Sequence, residues 1–127
     1  PRYLMGVGTI PDFLEAMKSG IDMFDCVLPT RNARNGQALT SQGKLNLKNL
    51  AHAESSLPLD ESCSCAVCRR YARAYIRHLF QMNEMLGAEL VSYHNLYFFH
   101  RFFEAARKSI QTCQYSSFFE KWSQILG

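Results

Sequence analysis

Three cysteines within six residues, Cys63, Cys65 and Cys68, constrain the fold of this chain more than any other feature. A disulfide between Cys63 and Cys65 would close a tight, strained ring. The chain has five cysteines, an odd number, with no signal peptide and no long apolar run. These features favour the reducing cytoplasm over a secreted disulfide scaffold, and they predict no membrane partner. The spacing therefore predicts a zinc site.

The fourth ligand of such a site has to come from elsewhere in the chain. His94 is the best placed, because the pattern predicts a turn over residues 90–93 and a helix that begins at His94 or shortly after it. Three thiolates and one imidazole leave no coordination position for water, so we expect one structural Zn²⁺ per chain. Three other histidines compete for this role, and two isolated cysteines are expected to be core residues. The histidines are His52, His78 and His100, and the cysteines are Cys26 and Cys113.

The composition indicates one modest globular core. Of the 127 residues, 47% are hydrophobic and 20% are charged, which is ordinary for a folded domain. The formal net charge is only +3, but Lys and Arg cluster at residues 31–34, 44–48 and 69–77. Such clusters could follow a phosphate backbone, whereas charge alone favours a solvated surface.

The first 28 residues have the pattern of a strand, a helix and a second strand. The apolar run that starts at Tyr3 predicts a buried strand, Thr9 with Asp12 predicts the start of a helix, and Gly20 predicts its end. The run 21–28 predicts a second buried strand, parallel to the first. Since reactive groups in α/β folds lie at the carboxyl ends of strands, we expect chemistry near Gly6 and Asp25.

The remainder of the chain predicts a hairpin followed by helices. Residues after Pro29 lose periodicity and predict a polar loop, and residues 37–40 and 44–48 predict two short strands. Apolar spacing predicts one helix over about residues 70–90, which Gly87 weakens, and a second over about 96–112. A last short helix is expected around Trp122.

Several motifs taken together resemble the tRNA-guanine transglycosylases. They are Tyr-Leu-Met-Gly-Val-Gly at 3–8, Asp-Met-Phe-Asp-Cys-Val-Leu-Pro-Thr-Arg at 22–31, Ala-Arg-Asn-Gly at 33–36, the cysteine cluster and His94-Asn. The resemblance implies an α/β fold: the C-terminal part of a (β/α)8 TIM barrel, with its last two strands, an inserted zinc-binding subdomain and closing helices. The implied division is 1–36 for the last βαβ unit with its active-site loop, 37–94 for the hairpin and zinc subdomain, and 95–127 for the C-terminal helices.

The same resemblance implies a reaction. The family exchanges guanine at the wobble position of GUN anticodons for a 7-deazaguanine base during queuosine synthesis. The loop at 32–36 is similar to that of the bacterial enzymes, for which the incoming base is 7-aminomethyl-7-deazaguanine. The resemblance implies that Asp25 is the nucleophile that forms a covalent aspartyl-ribose intermediate. It also implies base contacts by Tyr3, Met5 and Gly6, for which packing in the core is the alternative, and equally so for Tyr3. It further implies tRNA contacts by Thr30, Arg31 and Arg34, and zinc ligation by Cys63, Cys65, Cys68 and His94.

The extent of the chain shapes the remaining expectations. We expect the N-terminal part of the barrel, including the general acid/base, to be a missing partner, so that the segment alone is inactive. Two open sheet edges predict a homo-oligomer or a partner chain. The alternative function is a zinc-stabilised, non-catalytic tRNA-binding or subunit-interaction module, which the retained Asp25 disfavours. An archaeal-type relative would need further RNA-binding domains after the last helix.

Overall fold

A short pair of parallel strands opens the chain in the computed structural model, which describes residues 1–126. Strand β1 (Tyr3–Leu4) pairs with β2 (Met23–Phe24), and helix α1 (Ile10–Lys18) connects them. The predicted parallel βαβ unit is therefore confirmed, although both strands are shorter than expected. The prediction that they are buried is wrong, because Tyr3 in β1 is 51% exposed and Met23 in β2 is 46% exposed.

Helix α1 begins and ends where local signals predict. The Thr9 hydroxyl oxygen accepts a hydrogen bond from the Asp12 amide at 3.3 Å, which satisfies one amide of the first turn. Gly20 ends the helix with φ +90°, a conformation that glycine adopts without steric cost. The Ile21 amide then donates to the Ala16 carbonyl, as in the usual left-handed helix ending.

Helices form most of the remaining chain. After α2 (Leu28–Arg34), β3 (Gln37–Thr40) and β4 (Gly43–Asn46) form the predicted antiparallel hairpin, and a 3-10 turn (Leu50–His52) follows. The other helices are α3 (Ala66–Arg70), α4 (Arg73–Gln81), α5 (Met85–Gln111) and α6 (Tyr115–Leu126). No helix among these described residues combines the length and the apolar character that crossing a membrane requires.

The polar loop predicted after Pro29 is wrong, because residues 28–34 form α2. Ala33 supplies the reason: it is fully buried in an apolar cluster with residues that are distant in sequence. A single small buried residue does not produce the repeating apolar spacing by which a helix is predicted, so the sequence pattern did not reveal α2. Gly36, with φ +81°, follows the helix and leads into β3.

The single helix predicted over residues 70–90 is also wrong. The chain leaves α4 at Asn83, which adopts φ 54°, and the Glu84 amide donates to the Leu79 carbonyl at 2.9 Å. Asparagine tolerates this left-handed conformation, so the motif ends the helix as glycine would. At Gly87, an added Cβ would lie 3.2 Å from the Leu79 Cβ, so this glycine permits close packing instead of weakening a helix.

The described residues divide into two units, residues 1–28 with 101–126 (unit 1) and residues 29–100 (unit 2). The core of unit 1 is aromatic: Phe13 lies 4.8 Å from Phe24 and 5.0 Å from Phe103 between ring centroids. Phe102 packs edge-on against Trp122 at 5.2 Å, which confirms the predicted last helix as a core element. The core of unit 2 combines residues from most of its elements: Ala33, Ala38, Leu47, Leu59, Cys65, Val67, Ile76 and Val91. The three-part division expected from the sequence remains a prediction.

Candidate functional site

Unit 2 gathers the three clustered cysteines around one histidine. The His94 Nδ1 atom lies 3.3 Å from the Cys68 Sγ, 3.6 Å from the Cys65 Sγ and 3.8 Å from the Cys63 Sγ. All four ligand atoms lie within 4.8 Å of one another, and the group could hold a metal ion. The predicted turn before His94 is wrong, since this residue lies inside α5 and is fully buried.

The geometry of this group fits a tetrahedral metal. A Zn²⁺ ion with Zn–S distances of roughly 2.3 Å and a Zn–N distance of roughly 2.0 Å separates nitrogen from sulfur by about 3.6 Å. The observed distances lie close to that value. The His94 Nε2–H donates to the Leu39 carbonyl at 2.8 Å, so this contact leaves Nδ1 to face the sulfur atoms. A backbone carbonyl on the second ring nitrogen is the usual support for a histidine ligand.

The electrostatics of the group also favour a cation at its centre. Burial opposes ionisation of the Cys65 thiol, but hydrogen bonds with His94 and from the Cys68 amide bring its pKa down to about 6. Burial lowers the pKa of His94, whereas the three cysteines beside it raise that pKa to about 12. The three sulfur atoms thus stabilise positive charge between them. A divalent metal ion would supply that charge in place of the proton on His94 Nδ1.

A buried carboxylate supports the loop that carries the cysteines, and sequence reasoning missed it. Asp60 Oδ2 accepts the Ser41 amide at 2.6 Å, and Oδ1 accepts the Ser62 amide at 2.9 Å and the Ser62 hydroxyl at 2.7 Å. Burial alone would raise the pKa of Asp60, but the hydrogen bonds from Ser41 and Ser62 lower it. The carboxylate therefore joins the β3–β4 turn to the cysteine loop. An aspartate two residues before a serine, just ahead of the cysteines, was the signal available in the sequence.

The second candidate site lies in unit 1, at the carboxyl ends of the strands. Asp25 follows β2 directly and is exposed. Its Oδ1 accepts a hydrogen bond from the Tyr3 hydroxyl at 2.7 Å and one from the Gly6 amide at 3.2 Å. Among the described residues, no donor binds Oδ2. The carboxylate is thus held through one of its two oxygens.

Tyr3 and Gly6 have roles in this geometry that the sequence left open. Tyr3 is half-exposed, so it is not a core residue, and the hydrogen bond with Asp25 is the main cause that raises its pKa. Gly6 has φ +73°, which allows its amide to turn toward the carboxylate. Met5, also predicted to contact the base, is exposed beside them. A cavity of about 430 Å³ lies along this strand pair, lined by Tyr3, Asp22, Met23, Phe24, Phe103 and Arg107.

The predicted tRNA contacts lie on α2 in unit 2. Arg31 and Arg34 are exposed and three positions apart, so they share one side of the helix, and Thr30 is half-buried. Within residues 1–126, neither guanidinium pairs with a carboxylate. Both are therefore available to an anionic partner.

The other candidates do not join a site. His78 and His100 are exposed and His52 is half-buried, and none belongs to the cysteine group. Cys26 is half-buried, and the Leu28 amide donates to its sulfur at 3.3 Å. The expectation that Cys113 is a core residue is wrong, because it is exposed and ends α5 with φ 57°.

Comparisons with known proteins match this chain to one family over almost its whole length. A family model described as queuine tRNA-ribosyltransferase matches residues 1–126. A queuine tRNA-ribosyltransferase of Leptospira biflexa is 54% identical over 127 residues, covering 100% of this chain and 34% of that protein. The corresponding protein of Lawsonia intracellularis is 53% identical, covering 98% of this chain and 34% of its own length. That of Thermodesulfovibrio yellowstonii is 48% identical, covering 99% and 33%. The chain thus spans about a third of the length of these curated relatives.

Proposed function

The chain belongs to the queuine tRNA-ribosyltransferase family, and from this premise we propose that it is the C-terminal part of a TIM-barrel enzyme that exchanges a base in tRNA. The proposed substrates are guanine at the wobble position of GUN anticodons and a 7-deazaguanine precursor of queuosine. The names of the relatives support a ribosyltransferase acting on tRNA. The finer assignments depend on the two sites described above.

We assign the nucleophile to Asp25. Its Oδ2 attacks the anomeric carbon of the target ribose, the bond from that carbon to guanine N9 breaks, and guanine leaves with the electron pair and takes up a proton. The incoming base then attacks the same carbon through N9, loses its proton, and releases the carboxylate. Two displacements at one carbon retain the configuration, as in retaining glycosidases.

The observation that carries this assignment is the anchoring of Asp25 Oδ1 by Tyr3 and Gly6. Two donors on one oxygen limit rotation of the carboxylate, and Asp25 lies exposed at the carboxyl end of β2. Orientation of this kind is how an active site lowers the entropic part of a barrier.

The exposed strand face supports the proposed partners. Tyr3 in β1 stands opposite Met23 of β2 in the parallel register, so these two exposed side chains lie on one face of the strand pair, and Met5, directly after β1, is exposed as well. In α/β folds, both faces of a parallel sheet are covered by other parts of the protein. We propose that the N-terminal part of the barrel and the bound base cover the exposed face of β1 and β2, so that the segment alone is inactive. We also propose that the whole enzyme is a homo-oligomer acting in the cytoplasm.

We further propose that Cys63, Cys65, Cys68 and His94 hold one structural Zn²⁺. Bound zinc would contribute folding free energy to unit 2 and no catalytic step, because four protein ligands leave no open position. In the same unit, Thr30, Arg31 and Arg34 would contact the anticodon loop. The excess of basic over acidic residues between positions 29 and 100 favours a phosphate-rich partner.

The test is formation of a covalent adduct with tRNA in a full-length enzyme that contains this chain. We expect Asp25→Ala to abolish an adduct that survives denaturing electrophoresis, while zinc content and thermal stability stay at the wild-type level. Glu120→Ala is the matched control, because this exposed carboxylate lies on α6 of the same unit and outside the candidate site. An adduct that persists in Asp25→Ala would contradict the nucleophile. A wild-type enzyme that binds tRNA without any adduct would favour the non-catalytic alternative.

A further inference from the structure

Asn95 is a fully buried polar side chain with three hydrogen bonds to the backbone. Its Nδ2 donates to the Pro29 carbonyl at 2.9 Å and to the Gln37 carbonyl at 3.0 Å. Its Oδ1 accepts the Leu39 amide at 2.9 Å. Two carbonyls face the amide nitrogen and one N–H faces the oxygen, so only this orientation of the side chain satisfies every partner.

The two carbonyls bound by Asn95 enclose one segment of the chain. Pro29 lies in the first turn of α2, and Gln37 is the first residue of β3. The segment between them contains Thr30, Arg31 and Arg34. The side-chain amide of Asn95 therefore binds both ends of the segment 29–37. The helix within this segment, α2, has only seven residues, and so short a helix is not stable without contacts to the rest of the protein.

The same side chain connects this segment to the cysteine group. His94 Nε2–H donates to the carbonyl of Leu39, and Asn95 Oδ1 accepts the amide of Leu39. Both polar backbone groups of Leu39 are thus held by adjacent residues of α5. The histidine uses its other nitrogen to face the three sulfur atoms. Leu39 in β3 is therefore bound both by His94, which belongs to the metal group, and by Asn95, which binds the ends of the segment that contains α2.

We propose that Asn95 is a positioning residue for tRNA recognition, which holds α2 in the conformation that presents Arg31 and Arg34. The proposal rests on the function proposed above, in which these arginines contact the anticodon loop. Asn95 is buried and touches no substrate, so its effect passes through the backbone of residues 29–37. Its loss should weaken tRNA binding and leave recognition of the free base unchanged.

The experiment compares Asn95→Ala and Asn95→Asp in the full-length enzyme. Aspartate keeps the acceptor for the Leu39 amide but loses the two N–H donors that hold the ends of the segment. We expect both variants to retain zinc, to weaken tRNA binding about tenfold, and to leave the KM for the base within about twofold. We also expect faster hydrogen exchange in residues 29–37, and Arg31→Ala should add little to Asn95→Ala in a double-mutant cycle.

Leu79→Ala is the control for general destabilisation, since Leu79 is buried in the same unit on α4 and bonds neither end of the segment. An equal loss of tRNA affinity in Leu79→Ala would overturn the proposal, as would unchanged tRNA affinity in the Asn95 variants. If Asn95→Ala fails to fold, Asn95→Asp decides through exchange in residues 29–37: wild-type exchange there would reject the role of Asn95. Absence of tRNA binding by the wild-type enzyme would instead reject the proposed function, and the exchange result would still decide what holds the segment.

Discussion

The hydroxyl of Tyr3 donates a 2.7 Å hydrogen bond to Oδ1 of Asp25, so the first residue of β1 contacts the residue that follows β2. The parallel register makes this possible, because Tyr3 stands opposite Met23, which is two positions before Asp25. A tyrosine expected to line the base pocket is thus a candidate for orienting Asp25, the proposed nucleophile.

Removal of the Tyr3 hydroxyl should therefore affect the chemical step. We expect Tyr3→Phe in the full-length enzyme to lower the rate of adduct formation about tenfold, an energy of roughly 1.4 kcal/mol, because Asp25 keeps only the Gly6 amide as a donor. Tyr3→Leu, which removes the ring as well, is the comparison for base packing. Single-turnover kinetics separate the two roles: a raised KM for the base with an unchanged rate in Tyr3→Phe would show that the hydroxyl only helps to bind the base.

Loss of one cysteine or of the histidine should release the metal. We expect Cys65→Ser and His94→Ala to reduce zinc from one per chain to none and to lower the Tm, since bound metal contributes directly to folding free energy. Metal analysis together with thermal unfolding measures both effects. Cys113→Ser is the matched control, because this exposed cysteine lies outside the group. Full zinc content in either ligand variant would reject that residue as a ligand.

The Asp60 carboxylate should be important for stability and not for metal binding itself. Asp60→Ala leaves the amides of Ser41 and Ser62 without their acceptor, which we expect to cost roughly 1–3 kcal/mol. Glu61→Ala removes a neighbouring carboxylate that is exposed, and it should have little effect. The measurement is thermal unfolding of the zinc-loaded enzyme. Equal Tm values for the two variants would contradict a structural role for Asp60.

Tyr115 offers a test of unit 1 that includes pH. Its hydroxyl donates to the Leu14 carbonyl at 2.6 Å, which joins α6 to α1, so Tyr115→Phe should destabilise by about 0.5–1.5 kcal/mol. Tyr93→Phe, at a tyrosine of unit 2 that is 52% exposed, is the control. Burial, together with the charge of Glu15, raises the pKa of Tyr115 to about 12.

Because the folded state favours the protonated form of Tyr115, its contribution to stability is complete below the ordinary tyrosine pKa of about 10. That contribution is lost as the pH rises through about 12. Subtracting the ultraviolet titration of Tyr115→Phe from that of the wild type isolates this residue. A difference curve centred near the ordinary value would show that the hydroxyl is not held against Leu14.

Several local features whose partners lie within a few residues were predictable from the sequence. Thr9 caps α1 through Asp12, Gly20 ends that helix, and the turn at 41–42 closes the β3–β4 hairpin. The density of thiols at 63–68 likewise predicts a metal-binding group before any fold is known. These features depend on backbone conformation and donor chemistry that short stretches of sequence carry on their own.

Contacts between distant residues were decided only by the tertiary structure. Ala33 of α2 is buried in the core of unit 2, and Asn95, 66 positions from Pro29, binds the backbone of the first turn of this helix. His94 faces the sulfur atoms from within α5 instead of from a helix start, and Tyr3 reaches Asp25 across 22 positions. The physical reason is that a buried amide, imidazole or carboxylate takes the partners that packing brings to it, and the spacing of residues along the chain does not specify them.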